Sequence, residues 1–260
     1  MITAKVKNEV LKRLESIERN HDVTILFAIE SGSRAWGFAS PNSDYDIRFI
    51  YKHRPEWYKS LYLEEQRDVI ECKIVDEIDL SGWDVRKALR LFGASNPSFI
   101  EWIQSPIQYV NDGYFKKECI AMLPIAYSAT SGYYHYRNMA TADLRNYLKE
   151  DRVRLKKYLY VMRALLARRY IVENMQPPPL PIKDLFYLLD KTPIVKQELI
   201  KLVERKASCD EIGTGDHIKA LDEFIEKEIF NSYELQPIMK NPAAKPLLNQ
   251  LYKTVVYGNE

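Results

Sequence analysis

Ten residues separate the pair Gly32-Ser33 from Asp44, with Asp46 two positions further on, and these are the residues whose types and spacing describe chemistry. From Asp44 to Tyr51 the chain alternates as a strand does. Tyr45, Ile47, Phe49 and Tyr51 share one face, and Asp44, Asp46, Arg48 and Ile50 share the other. Aspartate is disfavoured inside strands, and two on one face repel unless a cation sits with them. Upstream, Ser31-Gly32-Ser33 forms a turn into a short helix over Arg34-Ala35-Trp36. Such a turn aims free N–H donors and the positive end of a helix at an anion, and the Ser33 hydroxyl adds a donor. Hard carboxylate oxygens beside a phosphate cradle describe a site for a nucleoside triphosphate and its Mg²⁺ ions.

These residues need a rigid frame. Val23 to Glu30 is short, apolar and β-rich, and reads as a strand buried on both faces. Before it, residues 3 to 19 read as a helix capped by Thr3, with Val6, Val10, Leu14 and Ile17 as its apolar stripe, ended by Asn20-His21-Asp22. The chain of 260 residues, 46% apolar and 28% charged with a net charge of +2, has material for a sizeable core. No apolar run approaches the roughly 20 residues that span a bilayer, and the charged N-terminus lacks the apolar core of a secretion signal. Cys72, Cys119 and Cys209 are widely spaced and odd in number, and read as free thiols of a cytoplasmic protein.

An apolar strand, Gly32-Ser33, a spacer, Asp44-Tyr45-Asp46 and a following apolar residue resemble the signature of the DNA polymerase β-like nucleotidyltransferases. More narrowly, the chain is similar to a family of predicted bacterial and phage nucleotidyltransferases, some associated with RNA-ligase repair systems. The residues carrying the likeness are Gly32-Ser33-Arg34-Ala35 with Gly37-Phe38-Ala39, then Ser43-Asp44-Tyr45-Asp46-Ile47-Arg48. They continue with Gly82 to Leu89, Asn96-Pro97, Glu101-Trp102, Ser105-Pro106, and Leu155 to Tyr160 with Arg163.

The resemblance implies a third carboxylate on a neighbouring strand. Within a strand over 72–80, Asp79 between Ile78 and Leu80 meets that requirement, with Glu77 or Asp76 as alternatives. It also favours Lys87, one turn beyond Trp83, as a phosphate contact. Residues 52 to 68 read as a surface connection. Asp84 is placed to cap the next helix, and Asn96-Pro97 opens another.

Beyond a boundary near residues 105–113 the composition turns helical. Tyr133-Tyr134-His135-Tyr136 offers either core or a base-stacking surface. One long helix is expected over 141–172. It would carry an apolar stripe from Leu144 through Leu148, Leu155, Leu159 and Met162 to Leu166. A second stripe, Arg145, Lys149, Arg152, Lys156, Tyr160 and Arg163, would border it. Lys156, Tyr160 and Arg163 fall both on that stripe and in the family-like motif, whereas Lys157 and Tyr158 point elsewhere. Pro177 to Pro181 is a rigid turn, and residues 182–255 continue as short helices without evident chemistry.

The expected fold is α+β: a polymerase β-like catalytic domain over 1–110, with a mixed sheet flanked by helices, and an all-helical domain over 111–260. The expected activity is transfer of an NMP from an NTP to an acceptor hydroxyl with two Mg²⁺ or Mn²⁺ ions, RNA 3′ ends being the favoured acceptor. Asp44, Asp46 and Asp79 would serve as metal ligands and catalytic carboxylates. Gly32, Ser33, Arg34, Lys87, Lys156, Tyr160 and Arg163 would bind the nucleotide. AMP transfer to a protein, or nucleotide and RNA binding without catalysis, are the alternatives.

Overall fold

The stripe at Val10, Leu14 and Ile17 forms a helix because its apolar side chains recur on one face, and Thr3 caps it by accepting the Val6 N–H at 3.3 Å. That helix opens a computed structural model, in which residues 2–209, 212–231, 233 and 241–258 are described. The elements run α1 (Ala4–His21), β1 (Thr24–Glu30), α2 (Gly32–Ala35), β2 (Tyr45–Lys52), β3 (Val69–Glu71), β4 (Ile78–Asp84), α3 (Val85–Gly93), α4 (Pro97–Gln104), β5 (Gln108–Asn111) and α5 (Phe115–Ala126). They continue as α6 (Ala129–Tyr147), β6 (Val153–Arg154), α7 (Leu155–Asn174), α8 (Pro193–Ser208), β7 (Thr214–Gly215), α9 (Lys219–Phe230) and α10 (Ala244–Tyr257).

Two compact units result. The first holds the chain up to Gly32, Asp44–Tyr127 and α10; the second holds Ser33–Ser43 and the elements from α6 to α9. The partition therefore does not follow a single cut near residue 110. The reason is apolar burial: Phe115, Cys119 and Ala126 of α5 and Ala244, Leu248, Leu251 and Val255 of α10 bury among side chains of β1, α3 and α4.

The first unit is built on a five-stranded mixed sheet in the order β3-β4-β2-β1-β5. β2 and β4 are parallel, and the other neighbouring pairs are antiparallel. One face packs on α1, with Val10, Leu14 and Ile17 against Ala28, Ile47, Phe49, Ile78 and Leu80. The other face takes α3, α4, α5 and α10. β1 is buried on both faces, as its unbroken apolar run predicts.

The stretch 72–80 is not one strand. Val75 and Ile78 pair across a tight turn whose central residues, Asp76 and Glu77, have φ of 54° and 62°. Two left-handed residues between antiparallel partners make a hairpin turn of the hand that matches strand twist. Asp76 and Glu77 are therefore exposed turn residues, and Asp76 pairs with Arg13 at 2.9 Å.

Asp84 ends β4 and caps α3. One carboxylate oxygen accepts the Arg86 N–H at 2.8 Å and the other accepts the Tyr58 hydroxyl at 2.7 Å. Burial pushes this carboxyl up to about 6 from 3.8, although both hydrogen bonds favour its charged form. The fold thus holds the proton more tightly than the unfolded chain. The stability that this group contributes is complete below its unfolded pKa and is lost as pH rises through about 6. Asn caps as well as Asp, so Asp84→Asn is expected to flatten the melting temperature against pH over that interval, measured by thermal denaturation.

The second unit centres on α7, which is buried nearly all round. The single helix expected over 141–172 is two helices. α6 ends at Tyr147, and the chain crosses an irregular stretch to Val153–Arg154, which pairs with Thr214–Gly215 before α7 begins. This unit is therefore not purely helical. The stretches 210–211, 232 and 234–240, expected to be helical or connecting, lie outside the described residues.

Candidate active site

In the first unit, the parallel register of β2 and β4 sets Asp46 directly beside Asp79. Ile78 and Leu80 are buried in the core, so alternation turns Asp79 to the opposite face, where Asp46 also lies. Both side chains are about one-third exposed. Arg48, two residues along β2, shares that face. Its Nη2 donates to Asp46 Oδ1 at 3.3 Å and to Asp79 Oδ2 at 2.8 Å, while its Nη1 donates to the carbonyls of Ile47 and Asp79 at 3.0 and 3.2 Å.

Asp46 is fixed at its backbone as well. Its N–H donates to Glu30 Oε1 at 3.0 Å, and its carbonyl accepts the Ser31 N–H at 2.8 Å. Glu30 is fully buried, and its Oε2 accepts the Tyr109 hydroxyl at 2.5 Å. The Ser105 hydroxyl donates to the Glu30 carbonyl at 2.6 Å. Gly32 follows with φ of +58°, and a Cβ there would lie 2.0 Å from Asp46 Oδ2. The carboxylate thus rests where only glycine leaves room. Gln at position 30 offers one acceptor oxygen where Glu offers two. Glu30→Gln is therefore expected to lower stability by about 1–3 kcal/mol, read from urea denaturation.

Asp44 is exposed and lies one residue before β2. Among the described residues no group of three or more His, Cys, Asp or Glu side chains is gathered closely enough to hold a metal ion. The structure brings together Asp46 and Asp79, with Arg48 between them, and leaves Asp44 outside the pair. Facing carboxylates beside a glycine that makes room for one of them are a donor set suited to a hard divalent cation such as Mg²⁺. Glu77 and Asp76 sit in the hairpin turn.

Lys87 is not brought to this pair. It lies on α3 beyond the end of β4, whose five residues past Asp79 span about 17 Å, and its Nζ donates to Asp68 at 2.8 Å.

Ser33 and Arg34 belong to the second unit, with the loop that runs to Ser43. The loop is pinned internally. The Ser33 carbonyl accepts the Phe38 N–H at 3.1 Å, Arg34 donates to the Ser43 carbonyl, and the Ser43 hydroxyl accepts the Ser40 N–H at 2.9 Å. The helices of the unit hold its aromatic residues. The Arg163 guanidinium lies 4.6 Å from the Trp36 ring centre, and Tyr160 packs against Trp36 and Phe38 at 5.7 and 5.9 Å. The Lys206 ammonium lies 4.8 Å from the Phe38 ring, and the Trp36 carbonyl accepts the Ile182 N–H at 2.9 Å.

The basic row expected along one long helix is accordingly not continuous. Arg145 lies in the last turn of α6, Lys149 and Arg152 lie between the helices, and Lys156, Tyr160 and Arg163 are on α7. Arg163 is only 3% exposed. Lys156 and Tyr160 are half-buried. In this unit Tyr160 and Arg163 hold the loop that carries Ser33 and Arg34. Tyr133 and Tyr136 are buried, which makes them core, whereas Tyr134 is exposed.

Sequence reasoning missed Glu30 and Tyr109. The signal for Glu30 was a carboxylate closing an otherwise apolar strand. Tyr109 gave no comparable signal. Arg48 was placed on the aspartate face, but its bridge to Asp79 requires the β2–β4 register.

A mixed sheet with acidic side chains facing each other from parallel neighbours, and helices on both faces, suits a polymerase β-like protein. Comparison with known proteins assigns the family: the chain belongs to the RNA repair pathway DNA polymerase beta family, matched over residues 6–254. It is also 41% identical over 224 residues to Uncharacterized protein YcgL of Bacillus subtilis (strain 168), covering 86% of this chain and 85% of that one. No helix among the described residues is long and apolar enough to cross a membrane.

Proposed function

We propose that the protein is a metal-dependent nucleotidyltransferase that moves an NMP from an NTP to an acceptor hydroxyl, with an RNA 3′ end as the acceptor. The observation that carries this reading is the facing pair Asp46 and Asp79 on parallel neighbouring strands, in a chain of a polymerase β-like, RNA repair-associated family. Asp46 and Asp79 would hold divalent ions, with Asp44 adding a ligand from the residue before β2. When bound, such ions polarise the acceptor hydroxyl and stabilise charge on the departing pyrophosphate. The backbone of Gly32 and Ser33 would orient the β- and γ-phosphates, and Arg34 would offset their charge. Asp79 would accept the acceptor proton. We assign Lys156, Tyr160 and Arg163 to the nucleotide-binding apparatus on the strength of the family-like motif. Tyr160 and Arg163 would act by holding the loop that carries Ser33 and Arg34.

The test offers each of the four labelled NTPs with Mg²⁺ or Mn²⁺ to RNAs with different 3′ ends, alongside whole-cell extract. Label on RNA that disappears in Asp44→Ala with Asp46→Ala supports the reading. Label on protein instead would identify a protein-modifying transferase. Full activity in the double variant would refute the assignment of the site.

A further inference from the structure

We propose that Arg48 is the positioning residue of this site. It holds the Asp46 and Asp79 carboxylates in the orientation that receives a divalent cation, rather than occupying the cation's place. The inference rests on the functional reading above and concerns a residue to which that reading gives no role.

The geometry of the guanidinium carries it. Nη1 is tied to the main chain through the carbonyls of Ile47 and Asp79, at 3.0 and 3.2 Å. Nη2 takes one oxygen from each carboxylate, Asp46 Oδ1 at 3.3 Å and Asp79 Oδ2 at 2.8 Å. The planar fork is therefore anchored to the backbone of both strands and turns both carboxylates about one point. A guanidinium that merely filled an empty cation site would be held by the carboxylates alone, and an incoming ion would displace it. Here displacement would also break two hydrogen bonds to main-chain carbonyls. Arg48 takes Oδ1 of Asp46 and Oδ2 of Asp79, and Asp46 Oδ2 lies against Gly32, where a Cβ would come within 2.0 Å. One positive charge against two carboxylates reduces their repulsion, yet leaves the trio net negative and attractive to a divalent cation. Groups that orient metal ligands in this way change affinity about 10–100-fold when removed.

The two roles predict opposite signs. Mn²⁺ binding is measured by the loss of its free electron paramagnetic resonance signal, for the full chain as wild type, Arg48→Met and Arg48→Lys. Far-ultraviolet circular dichroism establishes that each variant is folded. Positioning predicts Mn²⁺ binding about 10–100-fold weaker in Arg48→Met. It also predicts partial recovery in Arg48→Lys, which keeps the charge but not the fork, and little further loss when Arg48→Met is added to Asp79→Asn. If Arg48→Met fails to fold, Arg48→Lys alone carries the sign. Tighter or unchanged Mn²⁺ binding in the variants overturns the proposal and leaves the metal-site reading standing. No Mn²⁺ binding by the wild type overturns that reading, and this inference with it.

Discussion

Replacing Asp46 or Asp79 by asparagine is expected to lower NMP transfer by on the order of a thousandfold, equivalent to about 4 kcal/mol of transition-state stabilisation, with the melting temperature little changed. The two effects separate because each carboxylate is both repelled by the other and drawn to Arg48. Asparagine keeps the shape of each side chain and can still accept from Arg48 through its amide oxygen. It removes one of two negative charges that face each other from neighbouring strands while about one-third exposed. The folded chain loses a repulsion between carboxylates and, with it, the charge–charge part of one bond to Arg48, so the two changes offset, whereas the site loses a ligand outright. A thermal shift and a labelled-NTP assay on the same preparation check both halves. A large drop in melting temperature together with lost activity would reduce these aspartates to structural ion-pair partners of Arg48. The Asp44→Asn variant should also lose activity, with even less effect on stability, because Asp44 lies outside the strand and is exposed.

The parts of this fold that were legible in the sequence are those fixed by nearby residues. The spacing of Val10, Leu14 and Ile17 marked α1, and Thr3 caps it as expected. Asn96-Pro97 marked the start of α4, where the Asn96 side chain accepts the Phe99 N–H at 3.1 Å and proline stands in the first turn. The apolar run up to Glu30 marked a doubly buried strand. Each of these is decided within a few residues of chain.

What was not legible depends on partners distant in sequence. Lys149-Glu150-Asp151-Arg152 carries no proline or glycine, so propensity does not break a helix there. The break arises because Val153 and Arg154 pair with Thr214 and Gly215, some sixty residues on. Its one local trace is the absent apolar residue at 151 or 152, between Leu148 and Leu155. The helical pattern of α10 was readable, but not its burial in the first unit. The candidate site divides in the same way. The aspartate spacing and Gly32 stand out in the chain, whereas Glu30 and the Arg48 bridge depend on which strands become neighbours and in what register.

Two glycines of the first unit show how the same close approach serves different ends. Gly82 faces Phe49 across the β2–β4 pair, and a Cβ there would fall 2.1 Å from the buried ring. Phe49 is fully buried, so the clash must be absorbed by repacking. Gly82→Ala is expected to cost about 1–3 kcal/mol or more. At Gly32 the obstacle is a partly exposed carboxylate rather than a core ring. The left-handed φ of +58° penalises alanine by about 1–2 kcal/mol. The Asp46 carboxylate at 2.0 Å can turn away only in part, because Asp46 Cβ itself would lie 3.3 Å from the added carbon. Turning it takes the carboxylate off Arg48 and away from Asp79. Gly32→Ala should therefore lose transfer activity by at least about a hundredfold, a far larger effect than its stability change implies, whereas Gly82→Ala should lose stability first and keep its activity per folded molecule. Urea denaturation and NTP incorporation, measured on both variants below their melting temperatures, distinguish the two. Equal activity losses that tracked the folded fraction would mean that Gly32 matters only as a turn. A folded and inactive Gly32→Ala would mark the space beside Asp46 as part of the site.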